Sequence, residues 1–307
     1  MPRIKCPYCG AEFVAPSGVK YVVCPYCGTT IVAETGEAAK NQYYYPARLS
    51  DNEAFLVAVA KASMLPGTPS DIKEAAAYRG AELHYLPLYI CRASAYAEEC
   101  PEEASETTTR ALLALRDPPL HVPREYRFPA VGRVPYNPSE AKRGKFYQPE
   151  VNPDKECVIA EQRLRLRVQE EARISGCKTG SVKTESSIEG VAHYPMWRIK
   201  YSHPLASREL EAIVDAVDAQ VIYMEYPIPL VKRALLTGAG LFAAFVGTVI
   251  GAGIGVAIHH ALYGAIAGLV GGLVAGVPAF TTSMSRIGRY KYSVPRVERT
   301  IISEEKE

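Results

Sequence analysis

The pentapeptide Cys-Pro-Tyr-Cys-Gly occupies residues 6–10 and occurs again at residues 24–28, with 14 residues between the two cysteine pairs. Each Cys-x-x-Cys turn directs two thiolates at a single ion, and the glycine that follows relieves the turn where a Cβ would crowd the sulfur. Two such turns complete a tetrahedral shell of four sulfurs. The sequence therefore predicts a structural Zn²⁺ site whose ligands are Cys6, Cys9, Cys24 and Cys27.

The segment between the two turns predicts a β-hairpin, because residues 11–15 and 20–23 are short β-prone runs joined by Pro16-Ser17-Gly18. So small a unit has almost no apolar core, and we expect metal binding to supply most of its folding free energy, on the order of 10 kcal/mol. A disulfide pair, a redox Cys-x-x-Cys and a rubredoxin-type iron site fit less well. The reducing cytoplasm counts against the disulfides, and the presence of two cysteine pairs counts against a redox motif. The spacer between the pairs is too short for a rubredoxin-type site.

This N-terminal segment resembles the zinc ribbons of transcription factors and of many archaeal and bacterial regulatory or membrane proteins. The resemblance implies a fold and a metal but no activity. The formal net charge of +2 gives the whole chain no general attraction to nucleic acid, and a Zn(Cys)4 centre would offset the few basic residues of the ribbon. We interpret the ribbon as a structural or protein-docking element. Nucleic-acid binding, with Tyr8 and Tyr26 stacking on bases, stays open as the alternative.

The middle of the chain predicts a mixture of helices and strands. The residues Ser50-Asp-Asn-Glu53 form a capping-box signature before an apolar run, and Ala81–Ala97 favours a strand. A second amphipathic helix is predicted over Asp154–Ile174, with a strand at residues 164–168 as the alternative. Strands are predicted again within residues 181–225.

Two of these segments are alike, since Leu83–Ile90 and Ala192–Ile199 both contain His-Tyr followed by a proline. The likeness indicates a duplicated helix-plus-sheet unit, with chance similarity as the alternative. Residues 193–201 and 214–222 are similar to the final strands of PepSY-type domains, although Ala219 stands where that family has glycine in the turn. The whole chain resembles archaeal and bacterial zinc-ribbon membrane proteins of unknown function, a resemblance that carries no catalytic residues.

Residues 234–280 contain no Asp, Glu, Lys or Arg, which predicts two transmembrane helices of about 20 residues each. Basic residues flank both outer ends of this stretch and are missing from its centre, so we expect a two-pass protein of the cytoplasmic membrane with both termini cytoplasmic. Glycines recur at intervals of four residues in both predicted arms, which favours close packing within the hairpin or self-association.

The remaining cysteines show no ligand spacing and are interpreted as buried thiols. Disulfides stay open if the source is a hyperthermophilic archaeon, and the scarcity of Asn and Gln is typical of a thermophilic source. These cysteines are Cys91, Cys100, Cys157 and Cys177.

The predicted fold is multidomain α+β. Its parts are a zinc ribbon (1–33), a first helix-plus-antiparallel-sheet unit (34–117), a Pro-rich basic linker (118–153), a second, PepSY-like unit (154–230), a transmembrane helical hairpin (231–283) and a cytoplasmic tail (284–307).

No catalytic constellation or small-molecule site is found in the sequence, so we expect a membrane-anchored adaptor or scaffold that presents its cytoplasmic domains to a protein partner. The expected partners are the lipid bilayer and a protein bound by the cytoplasmic domains. The alternatives are an oligomeric channel or transporter-like protein and a membrane-tethered nucleic-acid binder.

Overall fold

The structure is a computed structural model that describes most of the chain and parts of its C-terminal third. The described residues are 3–16, 18–102, 104–123, 126–138, 144–177, 181–229, 242, 245–254, 256–257, 262–264, 266–271 and 287–293.

The N-terminal ribbon is made of two small antiparallel hairpins. Strand β1 (Arg3–Lys5) pairs with β2 (Glu12–Val14), and β3 (Tyr21–Val23) pairs with β4 (Thr30–Val32). Each Cys-Pro-Tyr-Cys-Gly turn is therefore the turn of its own hairpin. The predicted pairing of residues 11–15 with 20–23 is wrong, because each turn reverses the chain by itself and brings the strands on its two sides together.

The body of the protein is built on two long antiparallel strands, β6 (Ala77–Ala97) and β10 (Val182–Ser202), which pair along their whole length. At about 3.3 Å per residue, each strand of 21 residues is roughly 65 Å long. Shorter strands join them in a nine-stranded sheet: β5 (Gln42–Tyr44), β7 (Ser105–Leu113), β8 (Val134–Pro135), β9 (Gly144–Phe146), β11 (Leu210–Asp215), β12 (Val221–Pro227) and β13 (Ile287–Lys291).

Three helices accompany the sheet: α1 (Asp51–Ser63), α2 (Ile72–Ala75) and α3 (Pro153–Ile174). Ser50 caps α1, since its side chain accepts from the Glu53 backbone while the Glu53 carboxylate accepts from the Ser50 backbone. The predicted capping box is confirmed. Asn152 caps α3 and a proline stands in its first turn, so the helix and not the alternative strand forms over residues 164–168.

The predicted architecture of two small separate sheet units is wrong, because the strands of both form one sheet. Apart from the short helix α2, the element order β5-α1-β6-β7 in the first half is repeated as β9-α3-β10-β11 in the second. The opening strands are exchanged: β5 lies parallel to β10, and β9 lies parallel to β6. Each half thereby satisfies backbone groups at an edge of the other, which a separate unit would leave unpaired.

The two similar His-Tyr segments are direct neighbours in this sheet, with His84 opposite Met196 and His193 opposite Pro87. Side chains alternate between the faces of a strand, so His84 and His193 lie on opposite faces. The shared His-Tyr letters are therefore not structurally equivalent, although the order of elements does repeat.

One face of the sheet carries α1, the ribbon and α3, and the other is covered by the Pro-rich segment. Leu120, Val122 and Phe128 of that segment pack with Leu86 and Tyr194 in a buried cluster. The segment is thus a cover for the second face of the sheet, because its apolar side chains remove that face from water.

The described residues between 242 and 271 are helical, and a Cβ on Gly251 would collide with the backbone of Gly264 and Gly268. None of the described helices is long and apolar enough to cross a membrane.

The predicted transmembrane hairpin is overturned by this finding, and the two-pass membrane location with cytoplasmic termini is overturned with it. The remaining residues of the predicted hairpin, and most of the predicted tail, lie outside the described residues.

Candidate metal centre

The four predicted cysteines converge at one point of the ribbon. Their sulfurs all lie within 4.8 Å of one another, so together they could hold a metal ion. The Sγ atoms of Cys6 and Cys27 are 3.6 Å apart, and those of Cys9 and Cys24 are 3.7 Å apart. Each of these close pairs joins one cysteine from each turn, which is the arrangement of a shell shared between two turns.

Local hydrogen bonds shape both turns in the same way. The Cys6 backbone N–H donates to Ala11 O at 2.9 Å, and the Cys24 N–H donates to Thr29 O at 2.9 Å. Gly10 and Gly28 have φ angles of 74° and 72°, a left-handed conformation that a side chain disfavours. The glycine after each cysteine pair is therefore required by the backbone of the turn.

The environment of the thiols differs from one turn to the other. Burial raises the pKa of the Cys24 and Cys27 thiols above the usual value. At Cys6 burial also disfavours the thiolate, but hydrogen bonds from the backbone of Cys9 and Tyr8 outweigh it and the pKa is lowered. Binding a cation would compensate the charge of the buried thiolates, since metal ligation requires the deprotonated sulfur.

The second turn is seated directly on the sheet. Tyr136 donates a hydrogen bond to the carbonyl of Cys27. A Cβ at Gly28 would overlap the rings of Tyr136 and Phe146, so glycine is needed here for close approach as well as for its φ angle. The Phe146 ring stacks on Tyr85 of β6 at 4.7 Å between centroids. The metal centre is thereby joined to the central strands.

Two glutamines hold the backbone of the second hairpin. Gln148 accepts from the Val23 N–H at 2.9 Å and donates to the Val23 carbonyl, as a neighbouring strand would. Gln42 accepts from the Thr30 N–H at 2.8 Å and donates to Ala39 O at 2.7 Å. Because Gln42 lies on β5 and Gln148 follows β9, each half of the fold contributes one of these residues.

His193 of β10 lies beneath the ribbon and is completely buried. Its Nε2 is 3.4 Å from the Thr30 hydroxyl, and its ring makes edge contacts with Tyr136 and Phe146. Burial lowers the pKa of His193 to about 4. The histidine is therefore neutral near pH 7 and acts as a packing residue beneath the second turn.

Each turn exposes a tyrosine to solvent. Tyr8 of the first turn and Tyr26 of the second are both 64% exposed, and Cys9 of the first turn is exposed as well. Beside the first turn lies an open groove of about 350 Å³, whose walls include Pro7, Tyr8 and Tyr136. Thus the second turn is held by the body of the protein, while both turns present aromatic surface.

The structure brings together all four cysteines predicted from the sequence. The residues that seat the site were not predicted: Gln42, Tyr136, Phe146, Gln148 and His193. The density of aromatic residues in the Pro-rich segment was the signal for Tyr136 and Phe146, and the repeated His-Tyr pair was the signal for His193, but nothing in the sequence pointed to the two glutamines. The other cysteines are not free thiols, because Cys91 bonds to Cys157 and Cys100 to Cys177.

No protein-family model matches the chain, and neither does any curated protein or solved structure. The resemblances to PepSY-type domains and to zinc-ribbon proteins of unknown function stay predictions.

Proposed function

We propose that this protein is a non-enzymatic adaptor whose ribbon holds a structural Zn²⁺ and presents the tyrosines of its two turns to a protein partner. Four thiolates at about 2.3 Å from zinc define a tetrahedron with edges of about 3.8 Å. The two closest sulfur pairs, at 3.6 and 3.7 Å, are near that length. The donor set supports zinc because thiolate shells of tetrahedral form are typical of structural zinc sites.

A shell of four cysteines leaves no coordination position for a substrate, in contrast to catalytic zinc sites, which keep a water in the fourth position. The proposed ion therefore acts by holding the two turns together. His193 supports the same role, because it is buried under the ribbon and is not directed at an open site.

The observation that carries the proposal is the exposure of Tyr8 and Tyr26 on turns whose backbone is fixed. Tyrosine side chains on a rigid surface contribute large contact area at a small entropic cost, and aromatic residues dominate binding energy at protein interfaces. The groove beside Tyr8 adds a concave surface next to this aromatic pair. The channel-like alternative required membrane spans, and the described residues contain none.

The test compares full-length, zinc-loaded protein with a Tyr8→Ser/Tyr26→Ser variant, each immobilised and exposed to native extract, with bound proteins quantified by mass spectrometry. Leu56→Ser is the matched control, since Leu56 is 63% exposed and lies on α1. We expect at least one protein to be retained by the wild type and the control and depleted tenfold or more by the tyrosine variant. Equal retention by all three would refute the proposal.

A parallel arm measures retention of single-stranded oligonucleotide at low salt. Two results together would replace the protein partner with a nucleic acid. The tyrosine substitutions would abolish oligonucleotide binding, and nuclease treatment would abolish all protein retention.

A further inference from the structure

Helix α3 covers the far end of the β6/β10 pair, and the apolar contacts described for its C-terminal half are small. Leu164, Val168 and Ala172 of this half are buried and meet a strip of alanines on β6, which consists of Ala93, Ala95 and Ala97. Methyl groups offer little apolar area, so this part of the interface is weak. Other apolar side chains of α3, such as Leu166 and Ile174, point outward and are 63% and 73% exposed.

Two disulfides attach α3 at its two ends. Cys157, in the first turns of the helix, bonds to Cys91 of β6. Cys177, just after the last turn, bonds to Cys100 at the hairpin between β6 and β7. The four cysteines outside the metal centre are thus all used to fasten one helix.

The two disulfides differ in access to solvent. Cys91 and Cys157 are 1% and 2% exposed, whereas Cys100 and Cys177 are only half-buried. Thiol–disulfide exchange needs a thiolate to reach a sulfur along the S–S axis, so burial protects the inner disulfide and leaves the outer one open to attack.

The polar contacts described between α3 and the sheet all lie before its last two turns. The Glu161 carboxylate accepts from Ser186 at 2.7 Å and from Thr184 at 2.5 Å, and Arg167 pairs with Glu106 at 3.1 Å. Beyond Val168 the described contacts with the sheet are the packing of Ala172 and the outer disulfide. The last two turns of α3 therefore depend on that disulfide.

We propose that α3 is a redox-controlled clasp which opens from its C-terminal end when a dithiol reductant reduces Cys100–Cys177. One thiolate of the reductant attacks a sulfur of this disulfide, forms a mixed disulfide and releases the other cysteine as a thiolate. The second thiolate of the reductant attacks the mixed disulfide and frees the remaining cysteine. Two electrons pass to the protein, which gains two thiols, and the reductant leaves as a cyclic disulfide. Opening exposes the alanine strip of β6 while Cys91–Cys157 keeps the helix attached.

The experiment uses full-length, zinc-loaded protein titrated with dithiothreitol in the presence of excess Zn²⁺. Free thiols are trapped with N-ethylmaleimide and mapped by mass spectrometry, and hydrogen exchange of α3 is followed in the same samples. We expect Cys100 and Cys177 to be labelled at a dithiothreitol concentration at least tenfold below that for Cys91 and Cys157. Amide exchange in residues 169–175 should accelerate at least tenfold at that first step, with residues 157–164 unchanged.

A Cys100→Ser/Cys177→Ser variant should reproduce the open state without any reductant, and its zinc content should equal that of the wild type. The matched control, Cys91→Ala/Cys157→Ala, should keep the C-terminal turns of α3 protected. Free thiols at Cys91, Cys157, Cys100 and Cys177 in protein purified in air, reduction of both disulfides at the same concentration, or unchanged exchange in residues 169–175 would each overturn the proposal. If the serine variant does not fold, the titration of the wild type decides alone.

Discussion

Two small elements on the same face of the β6/β10 pair use sulfur in opposite ways. Over the middle of the pair, four cysteines of the ribbon converge as free thiols that could share a metal ion. Over the far end, four cysteines form the two disulfides that fasten α3. Both covers are too small to remain attached by apolar burial alone, and small elements of this kind are commonly stabilised by metals or disulfides.

The difference lies in what surrounds the sulfur. The ribbon is also held by Gln42, Gln148 and Tyr136, which bond to its backbone, and by stacked rings from the sheet. Helix α3 rests on alanines and has polar contacts over only part of its length. The ribbon is therefore built into the core, whereas α3 can detach from the sheet without disturbing the core. Five predictions test this contrast.

Removal of the metal should have the largest effect. Chelation, or Cys24→Ser, should cost on the order of 10 kcal/mol of ribbon folding free energy and destabilise the sheet beneath it, because the second turn packs on Tyr85 and Phe146. Unfolding by urea, followed together with zinc content, measures this. Cys9→Ser should be milder, since Cys9 is exposed. Equal unfolding curves with and without chelator would show that the ribbon folds without metal.

Loss of the inner disulfide should come next. Cys91→Ala/Cys157→Ala should lower the free energy of unfolding by about 4 kcal/mol, because the bond closes a loop with a sequence separation of 66 in the unfolded chain. Denaturant unfolding of the oxidised variant measures this loss, and fully reduced wild type should be destabilised further because it also loses Cys100–Cys177. A variant as stable as the oxidised wild type would contradict the assignment of this bond to stability.

Protonation of His193 should weaken the ribbon end at acidic pH. The folded-state pKa of about 4 lies below the ordinary 6.5, so the unfolded chain binds the proton first. The contribution of neutral His193 to the free energy of unfolding is fully present above pH 6.5. It decreases as the pH drops toward 4, by up to about 3 kcal/mol. His193→Gln should flatten this slope. Urea unfolding between pH 7 and 5, at constant metal occupancy, gives the comparison, and parallel slopes would count against it.

The glutamines should show a smaller effect that is specific to the ribbon. Gln148→Ala leaves both the N–H and the carbonyl of Val23 unpaired, and should cost about 1–3 kcal/mol. Gln148→Glu is a sharper control, because it keeps an acceptor for the N–H but places an oxygen against the Val23 carbonyl. Hydrogen exchange at Val23 should accelerate in both variants, while exchange in α3 stays unchanged.

The smallest effect is expected at an ion pair between the ribbon and α3. Lys20 of the ribbon and Asp154 of α3 are 3.4 Å apart, with side chains 47% and 64% exposed. Exposed pairs contribute about 0–1 kcal/mol, so Lys20→Ala should change the free energy of unfolding by less than about 0.5 kcal/mol. An interaction energy above this value, measured in a double-mutant cycle with Asp154→Ala, would mean that the ribbon and α3 are energetically coupled.

Features set by neighbours along the chain were predictable. The two Cys-x-x-Cys turns and the Ser50–Glu53 capping box depend on residues a few positions apart, where bond geometry limits the outcome. The element order of a repeated unit was also visible, although the histidines that suggested it lie on opposite faces of the sheet.

Contacts between distant residues were decided only by the tertiary structure. Cysteine spacing could not show that Cys91 pairs with Cys157, nor could composition show that β5 and β9 exchange partners between the halves. The uncharged stretch that predicted membrane spans holds no spanning helix in its described residues. Local rules fix a turn or a cap from a few bonded neighbours. Sheet pairing, disulfide partners and burial depend on which surfaces the whole chain brings together.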